Sequence, residues 1–301
     1  MAGEAMRKRE RSNEQNKKAK QAKQAKQAKQ AKKSKSSSAR RPALVRDAHD
    51  LYERAVQCPE ADVKFFDRIF RAQFGRVPSS LKEDFCGTAH LSSTWVKTRG
   101  TNTAVGVDLH GPTLEYGRKR HVAPLGAAAS RLRLHNANVL DVREPKVDLV
   151  AALNFSYFVF YTRDELRKYF EVARASLKRE GLFVLDIFGG WEAQQLTTET
   201  KNVDGYRYYW RQISFDPITH RTLFYIDFSF SDGSRMDRAF RYDWRFWTIP
   251  EVRELLAEAG FRESVVYWET TDRATGGGTG VFRPKAGSES EPGWIAYIVA
   301  S

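Results

Sequence analysis

Cysteine, methionine and long apolar runs are what this 301-residue chain has least of. Two cysteines, Cys58 and Cys86, are too few for a disulfide framework. The first residues are charged and carry no apolar stretch, so a secretory signal is not expected. Both cysteines are therefore read as thiols in an intracellular, cytoplasmic protein. No run reaches the ~18–20 apolar residues of a membrane-spanning helix, and no membrane partner is expected. Metal-ligand spacing is missing too. The six histidines, His49, His90, His110, His121, His135 and His220, are scattered, and no metal is expected. A Ser/His/Asp constellation is not legible. The body also lacks any excess of charge. The net charge is +13, yet residues 1–46 alone carry 16 Lys and Arg against 3 Glu, which leaves residues 47–301 neutral. Any argument about polyanions attaches to the arm alone.

What the arm does contain is Ala-Lys-Gln repeated from Ala19 to Ala31. These residues favour helix, but a three-residue period advances ~300° per repeat, so no apolar stripe forms and nothing can be buried. A Ser-rich linker follows from Ser34 to Ser38. Residues 1–42 are expected to be a disordered basic arm. It is suited to non-specific contact with nucleic acid or another polyanion, with the nucleus as an alternative location.

Residues 43–301 read as a folded domain. Apolar residues at helical spacing predict helices over 44–56 and 63–74, the second ended by Gly75. Strand and helix signals then alternate. Val77–Lys82, Ala104–Asp108, Leu132–Leu134, Val147–Leu153 and Leu182–Ile187 are strand candidates. A capping box, Thr162 with Glu165, opens a helix that Gly181 is expected to close. Such alternation with nearly continuous apolar strands implies a doubly wound, mostly parallel α/β sheet with helices on both faces. From about 203 to 247 the helices stop. Tyr206–Phe215, Leu223–Phe230 and Met236–Tyr242 predict an antiparallel insertion crowded with aromatics. Thr248 and Glu251 cap a last helix, Val265–Trp268 and Ile295–Val299 are the last strands, and Gly276–Gly280 reads as a loop.

Ligands of open parallel sheets sit beyond the carboxyl ends of the strands. Glu83-Asp-Phe-Cys-Gly-Thr-Ala89 follows the first strand, and Asp108 ends the second. The first segment fails as a pyrophosphate fingerprint, because only Gly87 survives from the three glycines. A phosphate-free adenosine with an amino-acid tail relaxes that need, and Asp108 is then placed to grip both ribose hydroxyls. These segments, with Ala137–Asp141, Asp148–Asn154 and Leu182–Ile187, resemble the class I S-adenosylmethionine-dependent methyltransferases over residues 50–301.

The resemblance implies a seven-stranded Rossmann-like sheet whose last strand, Ile295–Val299, runs antiparallel between the fifth strand and Val265–Trp268. It implies S-adenosyl-L-methionine as cofactor, held by Glu83, Phe85, Cys86, Gly87, Thr88, Ala89, Asp108, Leu109, Asn138, Val139 and Asn154. Phe85 and Ala89 depart from the family pattern, which has glycine at both positions. Asn154-Phe-Ser-Tyr157 stands where amino-methylating members carry Asn-Pro-Pro-Tyr. Asn154 and Tyr157 are therefore the expected catalytic pair, the amide to hold an amine N–H and the ring to steady a cation. The expected reaction is in-line methyl transfer to a small-molecule acceptor. Two other readings stay open: an RNA or protein methyltransferase that uses the arm, and a non-enzymatic binding module on a degenerate nucleotide fold.

Overall fold

The computed structural model describes residues 46–272 and 278–301. The expected arm, 1–42, lies outside the described residues. Helix α1 (Ala48–Val56) begins at Asp47, whose carboxylate accepts the His49 and Asp50 N–H groups. Helix α2 (Pro59–Phe74) starts on proline and closes at Gly75 in the left-handed region, φ +71°. There follow β1 (Ser80–Asp84), α3 (His90–Thr98), β2 (Thr103–Asp108), α4 (Gly111–Gly117), β3 (Leu132–Asn136), β4 (Val147–Ala152), α5 (Arg163–Ala175) and β5 (Leu177–Gly189). After the insertion come α6 (Ile249–Glu258), β10 (Ser264–Thr271), β11 (Gly278–Pro284) and β12 (Trp294–Ala300).

The main sheet runs β11-β10-β12-β5-β4-β1-β2-β3. Strands β1 to β5 are parallel, and β12 lies antiparallel between β5 and β10 as expected. Period-two alternation divides the core. Leu149, Ala151, Leu182 and Val184 face α2 and α3 through Phe66, Phe70 and Trp95. Val150, Ala152, Phe183 and Leu185 face α5 and α6 through Phe170, Leu255 and Leu256. Both capping boxes form, Thr162 with Glu165 and Thr248 with Glu251. Among the described residues no helix is long and apolar enough to cross a membrane.

Three features differ from expectation. The sheet has an eighth strand, β11, in the segment read as a loop. Gly278 permits it, since a Cβ there would lie 2.3 Å from the Glu269 carboxylate of neighbouring β10. Helix α5 stops at Ala175, six residues before Gly181. From Leu177 the chain pairs with β4, and long-range strand pairing overrides the local helix signal. The insertion has four strands instead of three, in the order β6-β7-β8-β9: β6 (Thr198–Val203), β7 (Tyr206–Phe215), β8 (Arg221–Phe230) and β9 (Arg235–Arg245).

One face of this second sheet buries Tyr206, Phe224, Ile226, Phe228 and Trp244. It packs on Leu51 and Ala55 of α1, and on Phe155, Phe158 and Phe188 beside the tips of β4 and β5. At ~1.5–3 kcal/mol per buried aromatic, these contacts anchor the sheet over the carboxyl edge of the main one. Four of the seven arginines on β7 to β9 are engaged locally: Arg207 with Asn202, Arg211 with Asp227, Arg241 with Asp243, and Arg245 with Glu251.

Candidate functional site

The turn after β1 follows a path that normally calls for glycine. Phe85, Gly87 and Ala89 all have left-handed backbones, with φ of 55°, 53° and 57°. The two departures from the family pattern thus keep the backbone conformation and lose only the ease of adopting it. The Phe85 ring leans onto Phe160 and Tyr169. The space above Gly87 is open, since a Cβ there would meet nothing nearer than Thr113 at 4.0 Å. Cys86, Thr88 and Ala89 shape the turn through packing. Their side chains are buried in packing around the turn, the Thr88 hydroxyl bonding to Glu53 of α1, so what they offer a ligand is backbone.

Glu83 is committed on one side. Its Oε2 accepts from the Ser92 backbone N–H at 2.9 Å and the Ser92 hydroxyl at 2.5 Å. It thereby caps α3, whose own N-cap residue, Ala89, has no acceptor side chain. Burial pushes the Glu83 carboxyl up to about 8, with Asp62 and Asp108 adding repulsion against the bonds from Ser92. Next to it, Lys82 and Asp84 form a fully buried ion pair at 2.7 Å, and Asp84 also accepts from the Tyr169 hydroxyl. This pair belongs to the core.

Asp108 ties the first two strand ends together. Oδ2 accepts the Gly87 N–H and Oδ1 the His110 N–H, both at 2.8 Å. Each oxygen keeps a second lone pair, enough for two ribose hydroxyls. Leu109 beside it is 72% exposed, an apolar surface for a flat ring. Asn136 fixes this corner by donating to the Asp108 and Leu109 carbonyls. Val139 is buried in the core, whereas Asn138 is exposed and its side-chain oxygen caps the Leu140 N–H.

The tip of β4 has a second strained turn. Asn154 and Phe155 are consecutive left-handed residues, φ 59° and 58°. Their N–H groups both donate to Asp186 at the end of β5, at 2.8 Å each. Two successive N–H groups converging on one carboxylate form an anion nest closed by the protein itself. Burial raises Asp186 to about 7, against those two bonds. Asn154 is half-buried, and its side-chain amide makes no hydrogen bond among the described residues. Tyr157 is a correction. It is 0% exposed and its ring lies among Phe158 and Phe170, so it does not join Asn154 at an acceptor surface. Two left-handed residues turn the chain inward after Asn154, where the expected prolines would have held it extended.

Several residues of this region carry no sequence signal. Helix α1 lies over the site and supplies Tyr52, whose hydroxyl contacts Tyr242 and feels Tyr208 and Asp186. Asp62 of α2 is raised to about 6, mainly by burial, against a bond from the Tyr297 hydroxyl. Its charge acts on both Glu83 and Asp186. The half-buried Asp62 and the buried Glu83 and Asp186 are all raised above the usual carboxylate range, and three acids so close together favour a cationic ligand. With Asp108, Leu109 and the open face of Gly87, the donor set fits an adenosine with an ammonium-bearing tail.

No protein-family model matches the chain, and no curated protein matches it in sequence. Solved structures do match. A S-adenosylmethionine-dependent methyltransferase from Clostridium acetobutylicum superposes with a TM-score of 0.61 at 17% identity, over 84% of this chain and 96% of that one. An amino pentose methyltransferase from Micromonospora echinaspora, solved with S-adenosylmethionine bound, gives 0.60 at 15% identity, over 87% and 100%. A sugar N-methyltransferase from Streptoalloteichus gives 0.56 at 18% identity, over 88% and 96%. The chain therefore has the Rossmann-like fold of the class I S-adenosylmethionine-dependent methyltransferases.

Proposed function

We propose that the protein transfers a methyl group from S-adenosylmethionine to a small-molecule amine. The observation that carries this reading is Asn154, an uncommitted amide at the tip of β4 on a turn that Asp186 holds rigid. Asp108 binds the ribose hydroxyls, the Leu109 side chain and the backbone at Asn138 and Val139 flank the adenine, and Glu83 pairs with the ammonium. The bound cofactor supplies a methyl group already activated on a cationic sulfonium. The chain then needs chiefly to align the acceptor, an effect that accounts for ~7–11 kcal/mol of barrier in such reactions. Asn154 orients the acceptor N–H through its side-chain oxygen. Tyr52, Tyr208, Trp210 and Tyr242 form an aromatic surface between α1 and the second sheet, suited to a cationic product. Buried carboxyls favour the ammonium that a neutral amine becomes on methylation, a charge that a hydroxyl acceptor does not keep. Two neighbours in fold are named as amino pentose and sugar N-methyltransferases, which sets amino sugars first among test acceptors.

The test is labelled-methyl transfer to a panel of amino sugars and other amines, with hydroxyl analogues beside them, for wild type and Asn154→Ala. The variant is expected to keep its cofactor affinity and lose ~1.5–3 kcal/mol of transition-state stabilisation, the worth of one well-aligned bond. Full turnover in Asn154→Ala, with only a lowered unfolding midpoint, would return the residue to a structural role. Transfer to hydroxyl analogues alone would overturn the amine assignment.

A further inference from the structure

We propose that Glu53, His90 and His121 form a site for a divalent transition ion of the Zn2+ class, which fastens helix α1 onto the turn after β1. The three side chains come from separate elements. Glu53 lies in α1, His90 is the first residue of α3, and His121 lies in the π-helical turn Arg118–Val122 that continues α4. Single π-turns are rare and gather at functional sites. The candidate ligand atoms all lie within 4.8 Å of one another. His121 Nε2 is already 2.8 Å from Glu53 Oε1, and the two imidazoles stack at 4.5 Å with 13° between their planes. Metal–ligand bonds of ~2.0–2.1 Å in a tetrahedron put donors roughly 3.4 Å apart. The widest pair needs to close by little more than an ångström, which side-chain rotation supplies.

The surroundings are those of a ligand set. His90 Nδ1 lies 3.1 Å from Gln57 Oε1; donation to that amide oxygen leaves Nε2 with a free lone pair. The Thr88 hydroxyl donates to Glu53 at 2.5 Å, an outer bond of the kind that orients ligating carboxylates. Two imidazoles and a carboxylate suit Zn2+ and related ions far better than Mg2+, which prefers oxygen ligands. Gly117 brings this corner close: a Cβ there would sit 2.2 Å from the Thr88 carbonyl. An ion at this point would therefore join the helix that carries Tyr52 to the turn that carries Gly87.

The experiment uses the full chain, stripped with a chelator and returned to Zn2+, with Co2+ as optical probe and Mg2+ as comparison. One Zn2+ retained per chain after desalting, a raised melting temperature and a Co2+ ligand-field band are expected, with no effect of Mg2+. His90→Ala and His121→Ala should lose all three responses, and His135→Ala should keep them. Gln57→Ala retains every ligand and should weaken Zn2+ about tenfold or more, with unchanged circular dichroism. Absence of stoichiometric Zn2+ uptake by the wild type, undiminished uptake by His90→Ala, or unchanged affinity in Gln57→Ala would each overturn the assignment.

Discussion

Replacing Asp186 by Asn should separate the pH dependence of catalysis from that of stability. The Asp186 carboxylate takes the N–H groups of Asn154 and Phe155, both left-handed. Each such residue stores of order 1–3 kcal/mol, and each charge-assisted bond returns ~1.5–3 kcal/mol. An amide offers one acceptor oxygen, so Asp186→Asn loses at least one of these bonds and turns an N–H donor toward another. The turn then relaxes and Asn154 loses its alignment. A drop of ~1.5–3 kcal/mol in transition-state stabilisation, roughly 10- to 150-fold, should appear in single turnover at saturating cofactor. The sign with pH follows from a carboxyl raised from 3.8 to about 7. The folded state binds this proton more tightly than the unfolded one, so the group's contribution to stability falls as pH climbs from about 4 to about 7. The nest needs the ionised form, so turnover should rise through the upper part of that same window. Wild type should thus gain rate while losing urea resistance, and Asp186→Asn should lack the rate limb and lose only its own share of the stability limb, since Asp62 and Glu83 are raised in the same range. A variant with full rate and an unchanged pH limb near 7 would refute the role given to Asp186.

Ala89→Gly should stabilise the fold by about 1 kcal/mol in urea denaturation, because the φ of 57° strains alanine and not glycine; unchanged or lowered stability would contradict the strain. Cofactor affinity, measured by calorimetry in buffers of different ionisation enthalpy, should strengthen as pH rises toward about 8 with release of a proton. A protonated Glu83 must ionise to pair with an ammonium, so Glu83→Gln should flatten that profile and bind less tightly. Asp108→Ala should weaken cofactor binding far more than Asp141→Ala, since two charge-assisted bonds of ~1.5–3 kcal/mol each are at stake at the first position and none at the exposed second; equal affinities would remove Asp108 from the site.

How much of this was legible depended on whether the signal was local. The buried strands β2, β4 and β5 announce themselves as apolar runs, whereas β1, Ser80–Asp84, is mostly charged and is displaced from the expected Val77–Lys82; Thr162/Glu165 and Thr248/Glu251 announce two helix starts because each cap is complete within four residues. Strands β6 and β11 are edges, with polar or glycine-rich sequence and one paired side, so period-two apolar alternation is missing. Gly181 misled because a glycine that ends a helix and one that sits in a bulged strand look alike until the partner strand is known. In the site, Gly87, Asp108 and Leu109 stand next to strand ends and were legible from position. Asp186 is legible in the same way, from its place near the carboxyl end of a strand, whereas Tyr52, Glu53 and Asp62 reach the site only through tertiary contact, from helices distant in sequence. Tyr157 lies in the core because Asn154 and Phe155 take left-handed backbones, a path that its spacing from Asn154 does not reveal.

The turn after β1 makes the wider point about reading such sites. Where the sequence reads Phe85 and Ala89, a fingerprint that counts glycines finds a degenerate motif. The requirement is physical, however: three left-handed residues around an open backbone at Gly87. Non-glycine residues can satisfy it when neighbouring contacts over-determine the backbone, and here carboxylates do so beyond β1, β2 and β4. Asp108 holds Gly87, Glu83 holds the start of α3, and Asp186 holds Asn154 and Phe155. On the proposed reading these are also the groups that a hydroxyl-bearing, cationic cofactor and a cationic methylated product call for. One set of acids therefore fixes the strained backbone and supplies the charge that the ligands need. Substituting any of them should lower stability and binding together. Asn154, whose side chain holds nothing in the fold, is the position at which rate alone should fall.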